Sequence, residues 1–252
     1  MWHWITGIGI SLLLSGCAAS TVMAPQHFRM DRPEVDGRAL RPSVGLGKVN
    51  AREVTLDAGQ VIEEVESDLL GRLGLSLGNG VEFGAASAGN ASRYSLKYQF
   101  SGSYAENEAL GNWPQAVSIA VEHTNSDQFM ACTFCASADQ DLWQMDLALY
   151  DVAWILGHRP SAGWLIYGGP YYRFGRLNGQ WQSSEQPGAS ERLNGRTQIW
   201  GANLATEYRF QTGLGLTVEM VYANTRCQAL LSSEPAVHRN ETFLNMVMDW
   251  RL

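Results

Sequence analysis

Charge is scarce in this chain. Asp, Glu, Lys and Arg make up 17% of its 252 residues, against about a quarter in an ordinary soluble domain. The net charge is −7 and the basic residues are scattered, so no large cationic patch exists and nucleic acid is excluded as an expected partner. Beyond the first residues no apolar run approaches the roughly 18 needed for a transmembrane helix. Cysteine is sparse, with four residues in all. Cys132 and Cys135 have no second pair to complete a zinc site and no βαβ pattern around them. No HExxH, P-loop or dinucleotide fingerprint occurs. No metal or cofactor is therefore expected. Glycine is plentiful instead, at 26 residues, and aromatics reach 10%.

The pattern of what remains has a period of two. Trp200, Ala202, Leu204, Thr206, Tyr208 and Phe210 alternate with Gly201, Asn203, Ala205, Glu207 and Arg209. After Gln211-Thr212-Gly213, Leu214 to Tyr222 alternates with Gly215 to Ala223. Successive side chains of a strand fall on opposite faces. One face here is apolar with aromatic ends; the other is small, polar and charged. Each arm exceeds the usual five or six residues of a soluble strand and suits the roughly 9–11 of a membrane-spanning one. In lipid every backbone polar group must be paired, so such strands span only as a closed barrel. A soluble β-sandwich also alternates, but its buried face is normally richer in Val and Ile.

A second hairpin runs from Leu69 to Gly89, turning at Gly78-Asn79-Gly80; Asn-Gly suits a turn whose residues both need positive φ. Arg93 to Phe100 continues the alternation. The run Leu73-Gly74-Leu75 to Phe83-Gly84, followed by Leu96-Lys97-Tyr98-Gln99-Phe100, resembles bacterial outer-membrane barrel proteins in general. Leu244, Met246, Met248, Trp250 and Leu252 resemble the terminal strand by which those barrels are recognised for assembly, with Leu252 where the family usually has Phe. The resemblance implies an all-β, antiparallel up-and-down transmembrane β-barrel. Counting strands gives about ten, with eight or twelve as alternatives; both termini then lie on the periplasmic side. Val61 to Glu66 reads as helix or loop, and Leu177 to Arg196 as a polar loop. A bulge is expected at Asp151, where the parity slips, and a bulge or local break at Pro170.

Residues 1–17 form a targeting segment. The apolar run Ile5–Leu14 ends in Leu14-Ser15-Gly16-Cys17. This resembles the bacterial lipobox, which implies lipidation of Cys17, palmitate included. Ala18 in the next position implies export to the outer membrane. Residues 18–40 carry Pro25, Pro33 and scattered charges without a period, and read as a periplasmic tether. Residues 41–252 are the barrel. The implied partners are outer-membrane lipids, the lipoprotein-sorting machinery and the barrel-assembly machinery.

The polar parity collects Arg72, Glu82, Arg93, Lys97, Glu122, Asp146, Arg173, Glu207, Arg209, Glu219, Asp249 and Arg251. Buried ions must pair, so this set is expected to form a salt-bridged lumen; a narrow polar pore is the sharper alternative. Cys132 and Cys135 are expected to form a disulfide in an external loop, with Cys227 as an alternative partner. Glu122-His123-Thr124-Asn125-Ser126 is the one enzymatic candidate. It resembles outer-membrane lipid A deacylases, in which His and Ser act at the barrel wall, although Ser126 points away from His123 by strand parity. Three functions are therefore carried forward: a non-enzymatic lipid-anchored barrel, a lipid-modifying hydrolase using His123, and a tethered periplasmic β-sandwich.

Overall fold

In the computed structural model, residues 20–23, 29, 31–57, 60–107, 109–128, 142–182, 190–228 and 237–251 are described. A short strand, β1 (Ser20–Met23), precedes ten long ones: β2 (Ala39–Asp57), β3 (Gln60–Gly78), β4 (Val81–Ala88), β5 (Ala91–Ser101), β6 (Gln115–Gln128), β7 (Leu142–Ser161), β8 (Trp164–Gln182), β9 (Ser190–Arg209), β10 (Leu214–Gln228) and β11 (Val237–Arg251). The ten pair antiparallel in sequence order, and β11 returns to β2, so the sheet closes on itself as a ten-stranded barrel. Closure removes both sheet edges, as a strand protein in hydrocarbon requires.

Three tight turns share one end of the barrel, the turn end, while Gly89-Asn90 joins β4 to β5 as tightly at the other. Gly78-Asn79-Gly80 turns at the turn end with all three residues at positive φ; two residues link β7 to β8 and four link β9 to β10. The exception at this turn end is the segment between β5 and β6, which carries a 3-10 turn at Ala105–Asn107. It folds beneath the barrel mouth: Ala105 N donates to Val35 O at 2.9 Å, and Arg159 N to Asn112 O at 3.0 Å. The connections 129–141, 183–189 and 229–236, at the loop end, lie outside the described residues, and with them Cys132 and Cys135.

Outward parity is largely apolar around the barrel, with Lys48 on β2 and polar residues toward the loop end as the exceptions. Leu96, Ile119, Val121, Val152, Ile166, Leu204, Leu216, Met220, Leu244 and Met246 are exposed around the middle. Aromatics flank them: Tyr94, Tyr150, Phe174 and Trp200 toward the loop end, and Phe83, Trp164, Tyr208 and Trp250 toward the turns. A monomer in water rarely exposes an apolar patch of more than a few hundred Å²; here it forms a complete belt, the pattern of a barrel facing lipid.

Three expectations change, and the local break at Pro170 is met. Val61–Glu66 is neither helix nor loop but part of β3. β7 has no bulge at Asp151: the register runs unbroken through it, and the irregularity lies between His158 and Ser161. Opposite Pro170, which has no N–H to donate, the β7–β8 ladder omits Trp154 and Ile155 but keeps its register. The polar stretch read as a loop from Leu177 to Arg196 is largely strand, because β8 and β9 continue beyond the apolar belt.

The largest change concerns residues 18–40. The described part is not a solvated tether. β1 pairs with the far end of β2, Ser20 opposite Leu56, which is the loop end. Arg29, Asp31, Arg32, Glu34 and Val35 are buried inside the barrel, and the segment leaves at the turn end, where Ser76 Oγ donates to Asp36 O at 2.6 Å. The chain therefore passes down the lumen before entering β2, and the two described ends of the chain lie at opposite ends of the barrel. The reversal into β2 falls at Leu40, whose φ is 59°.

Candidate functional site

The lumen is built from the inward parity of the wall and from the N-terminal segment together. The segment contributes four charges, each paired with a different wall residue. Arg29 makes a bidentate contact to Asp151, at 2.5 and 2.9 Å, and its guanidinium lies 4.3 Å from the Tyr171 ring centroid. Asp31 accepts from Arg93 at 2.7 Å. Arg32 donates to Asp249 at 3.1 Å. Glu34 receives Arg159 through Nε and a terminal nitrogen. Bidentate guanidinium–carboxylate pairs fix orientation as well as charge, so the segment is held in one register along the barrel axis.

The wall completes each group. Asp151 also takes Arg173, and Arg173 pairs with Glu122. Arg209 bridges Glu207 and Asp249, at 2.6 and 3.0 Å, with Arg251 3.8 Å from Glu207. Lys97 donates to Glu82 at 2.8 Å, and Arg72 stands 3.8 Å from the same carboxylate. Glu219 is held by amides: Asn203 Nδ2 at 2.8 Å and Asn245 Nδ2 at 3.3 Å, with Arg29 N at 3.2 Å. Beside this network lies an apolar cluster that includes Leu147, Leu149, Ile155, Ile199, Val221 and Phe243. The interior is thus mixed rather than wholly polar. Gly201 illustrates the packing: a Cβ there would meet Tyr222 O at 2.0 Å and Tyr171 Oη at 2.7 Å, the two atoms that hydrogen-bond each other.

Of the twelve charges read from the sequence as lumenal, eleven turn inward; Asp146 does not. It faces outward on β7, near the loop end, and its Oδ1 is 3.2 Å from His123 Nδ1. Both are about half exposed, at 48% and 54%. Glu122 is on the opposite face from His123, committed to Arg173, so it cannot orient that imidazole. Ser126 lies in β6 with its side chain outside the described residues, and Cys17 is outside them altogether. The hydroxyl that the register places beside His123 is Ser92, directly opposite on β5.

Sequence reasoning missed Arg29, Asp31, Arg32, Glu34, Asp151 and Arg159. The signal was present as charge balance: the segment before β2 carries both signs at close spacing, matching inward charges of both signs on the wall. At the turn mouth, partial burial raises the Asp36 carboxyl, but hydrogen bonds from Arg38 outweigh that and hold it below its ordinary value.

No protein-family model matches this chain, and no curated protein matches it. Solved structures do. The attachment invasion locus protein Ail of Yersinia pestis is 14% identical, with 85% of this chain and 99% of that one covered at a TM-score of 0.33. The translocator domain of the autotransporter NalP from Neisseria meningitidis is 10% identical, covering 86% and 90% at a TM-score of 0.36. The copper transporter OprC is 11% identical, covering 92% of this chain and 49% of that one at a TM-score of 0.32. These are outer-membrane β-barrel proteins; the architecture of the present chain is read from its own closed sheet.

Proposed function

We propose that this chain is a bacterial outer-membrane β-barrel lipoprotein whose lumen is closed by its own N-terminal segment, and that it serves the envelope as a non-enzymatic, non-conducting barrel. The observation that carries the reading is the set of four ionic contacts from Arg29, Asp31, Arg32 and Glu34 to the wall. They fill the section through which solute would pass. Among the described residues, a void lined by Arg29, Asp31, Arg72 and Ala86 is about the size of a single water. The implied partners remain lipid, the sorting machinery for the Cys17 anchor and the barrel-assembly machinery.

Planar-bilayer recording tests the closure. The wild-type barrel is expected to insert without stepwise conductance, and the double variant Arg29→Ala/Glu34→Ala to open channels. Discrete wild-type channels at rest would refute a closed lumen. Metabolic palmitate labelling tests the anchor: Cys17→Ser should abolish incorporation, and label retained in that variant removes the lipoprotein reading.

One observation favours a second reading, a lipid-modifying hydrolase. His123 is oriented by a carboxylate on the lipid-facing wall and has Ser92 opposite it, which is the order carboxylate, imidazole, hydroxyl that nucleophilic catalysis needs. Fatty-acid release from envelope lipid by the wild type, lost in His123→Ala, supports it. No release by the wild type disposes of it.

A further inference from the structure

We propose that Arg176, Arg196 and Arg226 form a binding site on the outer wall for the phosphate of a phosphorylated lipid headgroup, in the leaflet at the loop end. The proposal rests on the membrane-spanning reading above. All three side chains are exposed and outward-facing. Arg176 is directly opposite Arg196 across β8 and β9, which sets their Cβ atoms about 5 Å apart. Arg226 is opposite Gln198, one diagonal step from Arg196, at roughly 7–8 Å. Like charges placed directly opposite destabilise a ladder. Among the described residues no carboxylate pairs with any of the three. The nearest outward acid, Asp146, is one diagonal step from Arg176 across β7 and β8, and its Oδ1 lies 3.2 Å from His123 Nδ1. An anion seated among the guanidinia relieves that repulsion, and the planar fork of arginine matches phosphate oxygens two at a time.

Depth along the wall distinguishes a lipid from a soluble anion. Toward the barrel centre lie exposed Phe174 and Tyr172 and, past Gln198 and Asn224, Trp200 and Tyr222, with Leu204 and Met220 beyond them. The order guanidinium, aromatic, aliphatic reproduces the order headgroup, interface, acyl chain of one lipid molecule. The turn end has no counterpart. Its exposed Arg38 and Arg41 both face the Asp36 carboxylate, and its rim is Trp113, Trp164, Tyr208 and Phe210. The asymmetry assigns the site to one leaflet.

The test uses the full barrel in detergent micelles doped with equal amounts of phosphatidic acid or phosphatidylcholine, with retained lipid read by native mass spectrometry. The wild type should retain phosphatidic acid in preference. Arg176→Gln/Arg196→Gln/Arg226→Gln, which touches neither the lumen nor the apolar belt, should reduce that retention by about tenfold or more while keeping heat-modifiable migration. Equal retention of the two lipids by the wild type, or unchanged retention in the triple variant, overturns the proposal. So does full displacement by inorganic phosphate, which would make this a soluble-anion site. A barrel that fails to enter micelles or vesicles at all defeats the membrane reading itself, and is recognised by the absence of any heat-modifiable band.

Discussion

At the scale of single residues, burial decides which charges matter. Glu34 and Arg159 are almost wholly enclosed, at 0% and 1% side-chain exposure. Breaking one partner of such a pair leaves an ion without the group that compensated its desolvation, a loss of about 3–5 kcal/mol. Glu34→Ala should therefore lower the urea midpoint of the micelle-refolded barrel, whereas Arg38→Ala, on an exposed pair, should leave it nearly unmoved. An equal midpoint for wild type and Glu34→Ala would show that the segment does not stabilise the barrel. Leu40 makes the opposite prediction. Its φ of 59° costs a β-carbon-bearing residue roughly 1–2 kcal/mol, and its side chain is 74% exposed. Leu40→Gly should raise the same midpoint slightly, and a fall would indicate an unseen contact. Parity made most of the inward wall ions legible in the sequence; it misplaced Asp146 and passed over Asp151 and Arg159. The sequence suggests a slip at Asp151 because acids and aliphatics share the inward face there. In fact Leu147, Leu149, Asp151 and Ile155 all turn inward. An interior that is part ionic and part apolar defeats a rule that assigns polar residues to one side.

At the scale of elements, each hairpin's period was readable because one face meets apolar surroundings. The ends were not. Beyond the belt, β8 and β9 carry Arg176, Asn178, Asn194, Arg196 and Gln198 on their outward face, and a strand projecting into water loses the contrast that announces it. The N-terminal segment was illegible for a different reason. It lies inside the barrel without belonging to the sheet, so no repeat marks it, and only its complementary charges do. Turns behave more simply. Gly80 sits at φ 78°, and a Cβ there would meet Gln99 O at 2.7 Å. Gly80→Ala is expected to cost about 1–2 kcal/mol and to slow refolding into vesicles by disturbing the β3–β4 turn. Wild-type refolding and stability in that variant would mean that the turn relaxes without loss.

At the scale of the whole molecule, the apolar belt sets the solvent. Leu204 stands midway between Trp200 and Tyr208 on the outer face of β9, and Leu204→Arg should destabilise the lipid-inserted barrel by about 2–4 kcal/mol. A denaturation midpoint unchanged from wild type would place that face away from hydrocarbon. The same geometry requires an amphiphile for the folded state. A chain that stays monomeric and folded in plain buffer would contradict the membrane reading outright.

The passage of the chain through its own cylinder also constrains chronology. A segment joined to the first strand enters an open sheet without threading a narrow, ion-lined bore, so Arg29 to Asp36 are expected to be laid down before the last strand docks. The seam that docks last is the shortest in the wall: β11 meets β2 only from Ser43 to Lys48, whereas β2 and β3 run together from Ala39 to Asp57. Zipping a brief seam around an occupied interior makes the occupant a mould for the ring. A chain lacking that mould should stall as an open sheet, with β2 and β11 unjoined.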